Sequence, residues 1–115
     1  MLFQYKTETQ GTTRIFNLYG ELIDREQPKL MVEDVVETLE KGTINILLNL
    51  KELKYINSSG LNVLINILTK ARKAGGDVAI CFVNDKNKEL LHITKLDTVF
   101  NVCNTVEEAV ALLNK

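Results

Sequence analysis

Tyr55-Ile56-Asn57-Ser58-Ser59-Gly60-Leu61 is a polar break set between two apolar patterns of different period. Before it, Ile44-Asn45-Ile46-Leu47-Leu48-Asn49-Leu50 is nearly continuous in apolar residues, as expected of a strand covered on both faces in a parallel or mixed sheet. After it, Leu61, Leu64, Ile65 and Leu68 recur at helical spacing, and Val63 and Ile67 widen the stripe. Residues 51–60 therefore read as a junction, and residues 60–73 as a helix. Lys70, Arg72 and Lys73 place cations in its last turn, where the helix dipole favours them, and Gly75-Gly76 ends it. The hydroxyls of Ser58 and Ser59 thus stand at a strand-to-helix turn. Backbone N–H groups are unpaired there, and the dipole is positive.

The pattern continues in both directions. Residues 3–8 alternate, with Phe3, Tyr5 and Thr7 on one face, and Gln10-Gly11 signals a turn. Residues 12–19 are rich in β-branched and aromatic side chains, so the two runs read as a hairpin, with Gly20 ending the second strand. Residues 21–25 form a loop in which Asp24 is the expected helix N-cap, and Pro28 fits only a first turn. Leu30, Met31, Val35, Val36 and Leu39 then repeat with a helical period up to Lys41-Gly42. Beyond residue 76, residues 77–83 read as a buried strand and Asn84-Asp85-Lys86-Asn87 as a turn and cap. A short helix to about residue 94 is expected to bury Leu90, Leu91 and Ile93. A last strand covers residues 99–102. Asn104 or Thr105 caps a final helix, Thr105-Val106-Glu107-Glu108 having capping-box spacing, and its core face is Val106, Ala109, Val110 and Leu113. The order ββαβαβαβα implies an α/β fold, an open mixed β-sheet packed with helices, whose βαβ crossovers are right-handed.

The 115 residues make one domain, 45% hydrophobic and 25% charged, with a net charge of −1. Charges are interspersed, so no electrostatic footprint for nucleic acid is expected, and no apolar run is long enough for membrane insertion. The first six residues read as a strand and not as a signal peptide. Cys81 and Cys103, in apolar surroundings and without metal-like spacing, read as core thiols of a reducing cytoplasm.

No catalytic group is expected. His92 has no Ser, Cys or carboxylate at a triad-like spacing. No metal motif and no glycine-rich phosphate loop is present, and no cofactor is called for. By residue type alone, Ser58 is first a helix N-cap, contributing about 1 kcal/mol. Tyr55, Leu61 and Val63 read either as part of a partner patch or as core packing, with core packing favoured for Leu61. Asn62 and Asn66, one turn apart on the helix, read as exposed.

The run Leu53-Lys54-Tyr55-Ile56-Asn57-Ser58-Ser59-Gly60-Leu61-Asn62-Val63-Leu64 resembles the signature of the STAS domain, Asp-Ser-Ser/Thr-Gly-Leu followed by a helix. Gly20-Glu21-Leu22, Gly75-Gly76, Leu96-Asp97-Thr98-Val99-Phe100 and Glu107-Glu108-Ala109 support the resemblance, which covers residues 1–115 as a single STAS domain. It points to the small anti-sigma-factor antagonists. In that family the hydroxyl after the acidic residue is phosphorylated by a serine protein kinase that is also the anti-sigma factor, and a serine phosphatase resets it. Carried over, Ser58 is the phosphoacceptor and Ser59 the alternative. Glu21, Asp24, Asn57, Ser58, Ser59, Gly60, Asn62 and Asn66 form the expected partner surface, with Gly60 either allowing close approach of a partner backbone or simply removing a side chain from the first turn. This chain departs from the pattern at Asn57, where the family usually has Asp, and at Ile23-Asp24, where the acid comes one place late. The expectation is a non-enzymatic cytoplasmic regulator. A STAS interaction subunit of a transport or signalling complex without a phosphoswitch is the alternative. A nucleotide-binding enzyme is the weakest reading, since it rests on fold analogy alone.

Overall fold

Chain order is sheet order. In the computed structural model, which describes residues 2–114, strands β1 (Gln4–Gln10), β2 (Thr13–Leu22), β3 (Asn45–Ile56), β4 (Asp77–Cys81) and β5 (Asn101–Cys103) lie side by side in sequence. Met1 and Lys115 fall outside the described residues. β1 pairs with β2 as an antiparallel hairpin, and the remaining pairs are parallel. The helices α1 (Lys29–Glu40), α2 (Ser58–Lys73), α3 (Asp85–Ile93) and α4 (Val106–Leu113) alternate with the strands as the sequence pattern predicts.

The strand order never reverses from β2 to β5, so right-handed crossovers carry α1, α2 and α3 to the same face. Alternation along the strands then divides the core. Phe16, Leu18, Ile46, Leu48, Val78 and Ile80 point to the face covered by Met31 and Val35 of α1, Leu64, Ile67 and Leu68 of α2, and Leu91 of α3. Ile15, Leu47, Ala79, Cys81 and Cys103 point to the opposite face, where Ala109 and Leu113 of α4 cover them. β3 is the double-faced strand expected from its composition.

Several boundaries differ from the sequence reading. Gly20 does not end β2. The strand passes through it with a bulge, φ is +86°, and a Cβ there would overlap the Leu2 carbonyl oxygen. β3 does not stop at Leu50 but runs to Ile56, because residues 52–56 keep pairing with Tyr19–Leu22 after β4 has ended. α1 begins at Lys29, after Pro28, and not at a cap on Asp24. Leu30 and Ile93, expected in the core, are each 69% exposed. A 3-10 turn, Leu96–Thr98, delays the last strand. Thr105 caps α4 as the capping-box spacing predicts, accepting from the Glu108 N–H at 3.1 Å.

Candidate functional site

The end of β3, the start of α2 and the loop after β2 meet where the parallel strands β2 and β3 finish, at one end of the sheet. Asn57 joins them. Its backbone is extended, its Oδ1 accepts from the Gly60 N–H at 2.9 Å, and its Nδ2 donates to the Ile23 carbonyl at 3.0 Å. Its own N–H donates to the Leu22 carbonyl at 3.3 Å. The cap role read for Ser58 therefore belongs to Asn57. Asn and Ser are nearly equal as caps, and the neighbour whose amide also reaches the loop after β2 takes the position.

Ser58 and Ser59 become the first two residues of α2. Both are exposed, and neither hydroxyl hydrogen-bonds to another described residue. Gly60, expected to admit a partner backbone, is buried instead against the end of β2, where a Cβ would overlap the Leu22 carbonyl oxygen. It admits the chain's own strand.

The loop after β2 is held locally. Asp24 accepts from the Gln27 N–H at 2.9 Å and from Gln27 Nε2 at 3.0 Å. These bonds, the backbone one first, hold the Asp24 carboxyl below its ordinary pKa. Gln27 Oε1 in turn accepts from the Phe3 N–H at 2.9 Å. Asp24 thus caps a turn ahead of α1. Glu21, half-buried, lies opposite Tyr55 in the β2–β3 register.

Two depressions flank this junction. Between α1 and α2 a groove of about 710 Å³ is lined by Asn62 and Asn66, exposed as expected, and by Arg25 and Lys29 across from them. Between α2 and α3 a cleft of about 310 Å³ has Tyr55, Asn57 and Ser58 on one wall and Lys86, Glu89, Leu90 and Ile93 on the other. Ser58 faces this cleft; Ser59 is not among its lining residues. Asn84 and Asn87 fix the α3 wall, since their side-chain amides donate to the Leu53 carbonyl, each at 3.4 Å. The residues of α3, with Arg25 and Lys29, are the parts of this surface that sequence reasoning missed. A signal for α3 existed. Helices that follow adjacent parallel strands start at the same end of the sheet, so the first turns of α2 and α3 had to be neighbours.

Among the described residues no group of three His, Cys, Asp or Glu side chains is placed to hold a metal, and His92 is exposed beside Asp97, with Nδ1 3.0 Å from Oδ2. No described helix is long and apolar enough to cross a membrane.

The family model described as the STAS domain matches residues 4–109. The chain belongs to the STAS domain family. As a STAS domain it is 37% identical over 73 residues to a candidate anti-sigma factor antagonist of Thermotoga neapolitana, a match spanning 64% of this chain and 65% of that protein's length. It is 30% identical over 97 residues to the anti-sigma F factor antagonist of Paenibacillus polymyxa, covering 84% of this chain and 82% of that one. Its fold superposes on the crystal structure of the Thermotoga maritima protein TM1081 with a TM-score of 0.87 at 28% identity, covering 96% of this chain and 95% of the other. The ββαβαβαβα order read from the sequence is the order of this STAS fold.

Proposed function

We propose that this STAS domain, read as one domain over residues 1–115, is a non-enzymatic anti-sigma-factor antagonist of a bacterial partner-switching pathway, acting in the cytoplasm. It binds an anti-sigma factor that is also its serine protein kinase, and phosphorylation of Ser58 turns binding off until a serine phosphatase restores it. The surface that docks comprises Glu21, Asp24, Asn57, Ser58, Ser59, Asn62 and Asn66, with Gly60 shaping it from beneath. One observation carries the reading: the Ser58 hydroxyl is exposed and unbonded at the first position of α2 because Asn57 does the capping. A hydroxyl committed to a cap would have to leave it to be modified; this one does not. The names borne by the relatives support the class of function.

The physics of the switch is local. A phosphoryl group adds about −1.5 to −2 charges at neutral pH. The free N–H groups of the first turn accommodate that charge without refolding, whereas the same charge in a desolvated partner contact is repelled. A loss of about 3 kcal/mol on binding lowers affinity more than a hundredfold, enough for a near on/off response. Ser58→Ala is expected to stay folded and bind the anti-sigma factor as the unmodified protein does, and Ser58→Asp to bind far more weakly. Equal dissociation constants for the two variants, measured calorimetrically, would rule the switch out.

A constitutive STAS subunit of a transport or signalling complex is the second reading. It is favoured by Asn57, which stands where an acid is usual and is fully occupied as a structural tie. The same calorimetric comparison separates the two.

A further inference from the structure

The cleft between α2 and α3 places opposite Ser58 a cation that no described carboxylate holds. β3 and β4 are adjacent and parallel, so α2 and α3 start side by side. Ser58 is the first residue of α2 and Lys86 the second of α3, and they line facing walls of one cleft. The backbone under Lys86 is fixed, because Asn84 accepts from the Asn87 N–H at 2.8 Å and both Asn side chains are bonded to β3. The side chain is not fixed in the same way. No described carboxylate pairs with Lys86, and its ammonium rests over the Tyr55 ring, 5.1 Å from the centroid. Glu89 is the other acidic or basic group lining the cleft; Tyr55, Asn57, Ser58 and Asn87 are its remaining polar groups.

We propose that Lys86 is the counter-charge for a phosphoryl group on Ser58. The ammonium leaves the Tyr55 ring, donates to the phosphate oxygens and ties α3 to the start of α2 across the cleft. An exposed cation–π contact is weaker than a charge-assisted hydrogen bond to a dianion, so the exchange is favourable. Glu89 opposes the phosphate and turns outward. Phosphorylation then changes shape as well as charge: the cleft fills and the Tyr55 face is uncovered. This rests on the reading of Ser58 as acceptor and adds how the modified state is held.

The test needs no kinase. Phosphoserine is installed at position 58 by directed incorporation, and its second ionisation, near pH 6 for the free group, is followed by phosphorus NMR. Lys86→Gln is expected to raise that pKa by about half a unit, Lys86→Arg to restore it, and Glu89→Gln to lower it. Lys88→Gln, on α3 but outside the cleft, should leave it unchanged. Added salt should shrink the Lys86 effect. In addition, the phosphoryl group should shift the Tyr55 ring protons in the parent chain and not in Lys86→Gln. An identical pKa in the parent and Lys86→Gln, or Tyr55 signals indifferent to the phosphate, would overturn the pairing. Failure of the serine kinase to modify Ser58 would be a separate result, directed at the functional reading alone.

Discussion

One amide decides how the hydroxyls at the α2 start are presented. Asn57 caps the helix through Oδ1 and ties down the loop after β2 through Nδ2, so neither oxygen nor nitrogen is dispensable. Asn57→Ala removes both bonds and should cost about 2 kcal/mol, roughly 1 for the cap and 1 for the tether. Asn57→Asp keeps the cap and gains a favourable dipole term. It also loses the donor to Ile23 and sets a carboxylate oxygen against that carbonyl, so its expected cost is about 1 kcal/mol. Urea unfolding should therefore rank the parent above Asn57→Asp and Asn57→Ala last. An Asn57→Asp protein as stable as the parent would show that the dipole gain fully offsets the lost tether. The sequence showed that hydroxyls stood at a strand-to-helix junction, and exposed Asn62 and Asn66 were legible from their place on the helix. Which of two adjacent cap formers would cap was not legible. That choice depends on the Ile23 carbonyl, brought in by another strand.

At the scale of elements, α2 can lie close to β2 only where no side chain intervenes. Gly60→Ala would drive a Cβ into the backbone of Leu22, which cannot rotate away as a side chain can, and should cost about 3 kcal/mol. Ser59→Ala, one residue earlier and exposed, should fall within about 0.5 kcal/mol of the parent. Comparable losses for the two would mean that the first turn of α2, and not the contact with β2, sets the cost. Element type and order were readable because period and turn signals agree along the chain. Element ends were not. Lys51, Glu52, Lys54 and Tyr55 look like a loop, yet they extend β3 because β2 continues alongside. Likewise Ile93 fits the helical period of α3, but the helix ends where no neighbour covers it. Apolar spacing proposes a core face; only packing disposes of the last turn.

For the whole molecule, the two-sided sheet places both thiols in the smaller core under α4. Cys81 and Cys103 are register partners on β4 and β5, both buried and both free. Burial pushes the Cys81 thiol up to about 12, with Cys103 and Glu107 adding to the shift, and burial raises Cys103 as well. In the unfolded chain these thiols ionise at their ordinary value of 9.0. Above that pH the unfolded state gains from ionisation while the folded state does not, so their contribution to stability is full below pH 9 and falls as pH rises toward 12. The urea midpoint should drop across this alkaline window, and drop less in the Cys81→Ala, Cys103→Ala double variant. Parallel pH profiles for the two proteins would show that the thiols are not the cause.

The central claim is that the residue which caps α2 leaves its neighbour open to modification. Incubation of the folded chain with its serine kinase and ATP, followed by intact-mass and peptide mass spectrometry, tests that most directly. A single phosphoryl group should appear on Ser58, be retained in Ser59→Ala, and vanish in Ser58→Ala. Phosphate on Ser59, or no phosphate on a chain whose anti-sigma factor partner still binds it, would contradict the account.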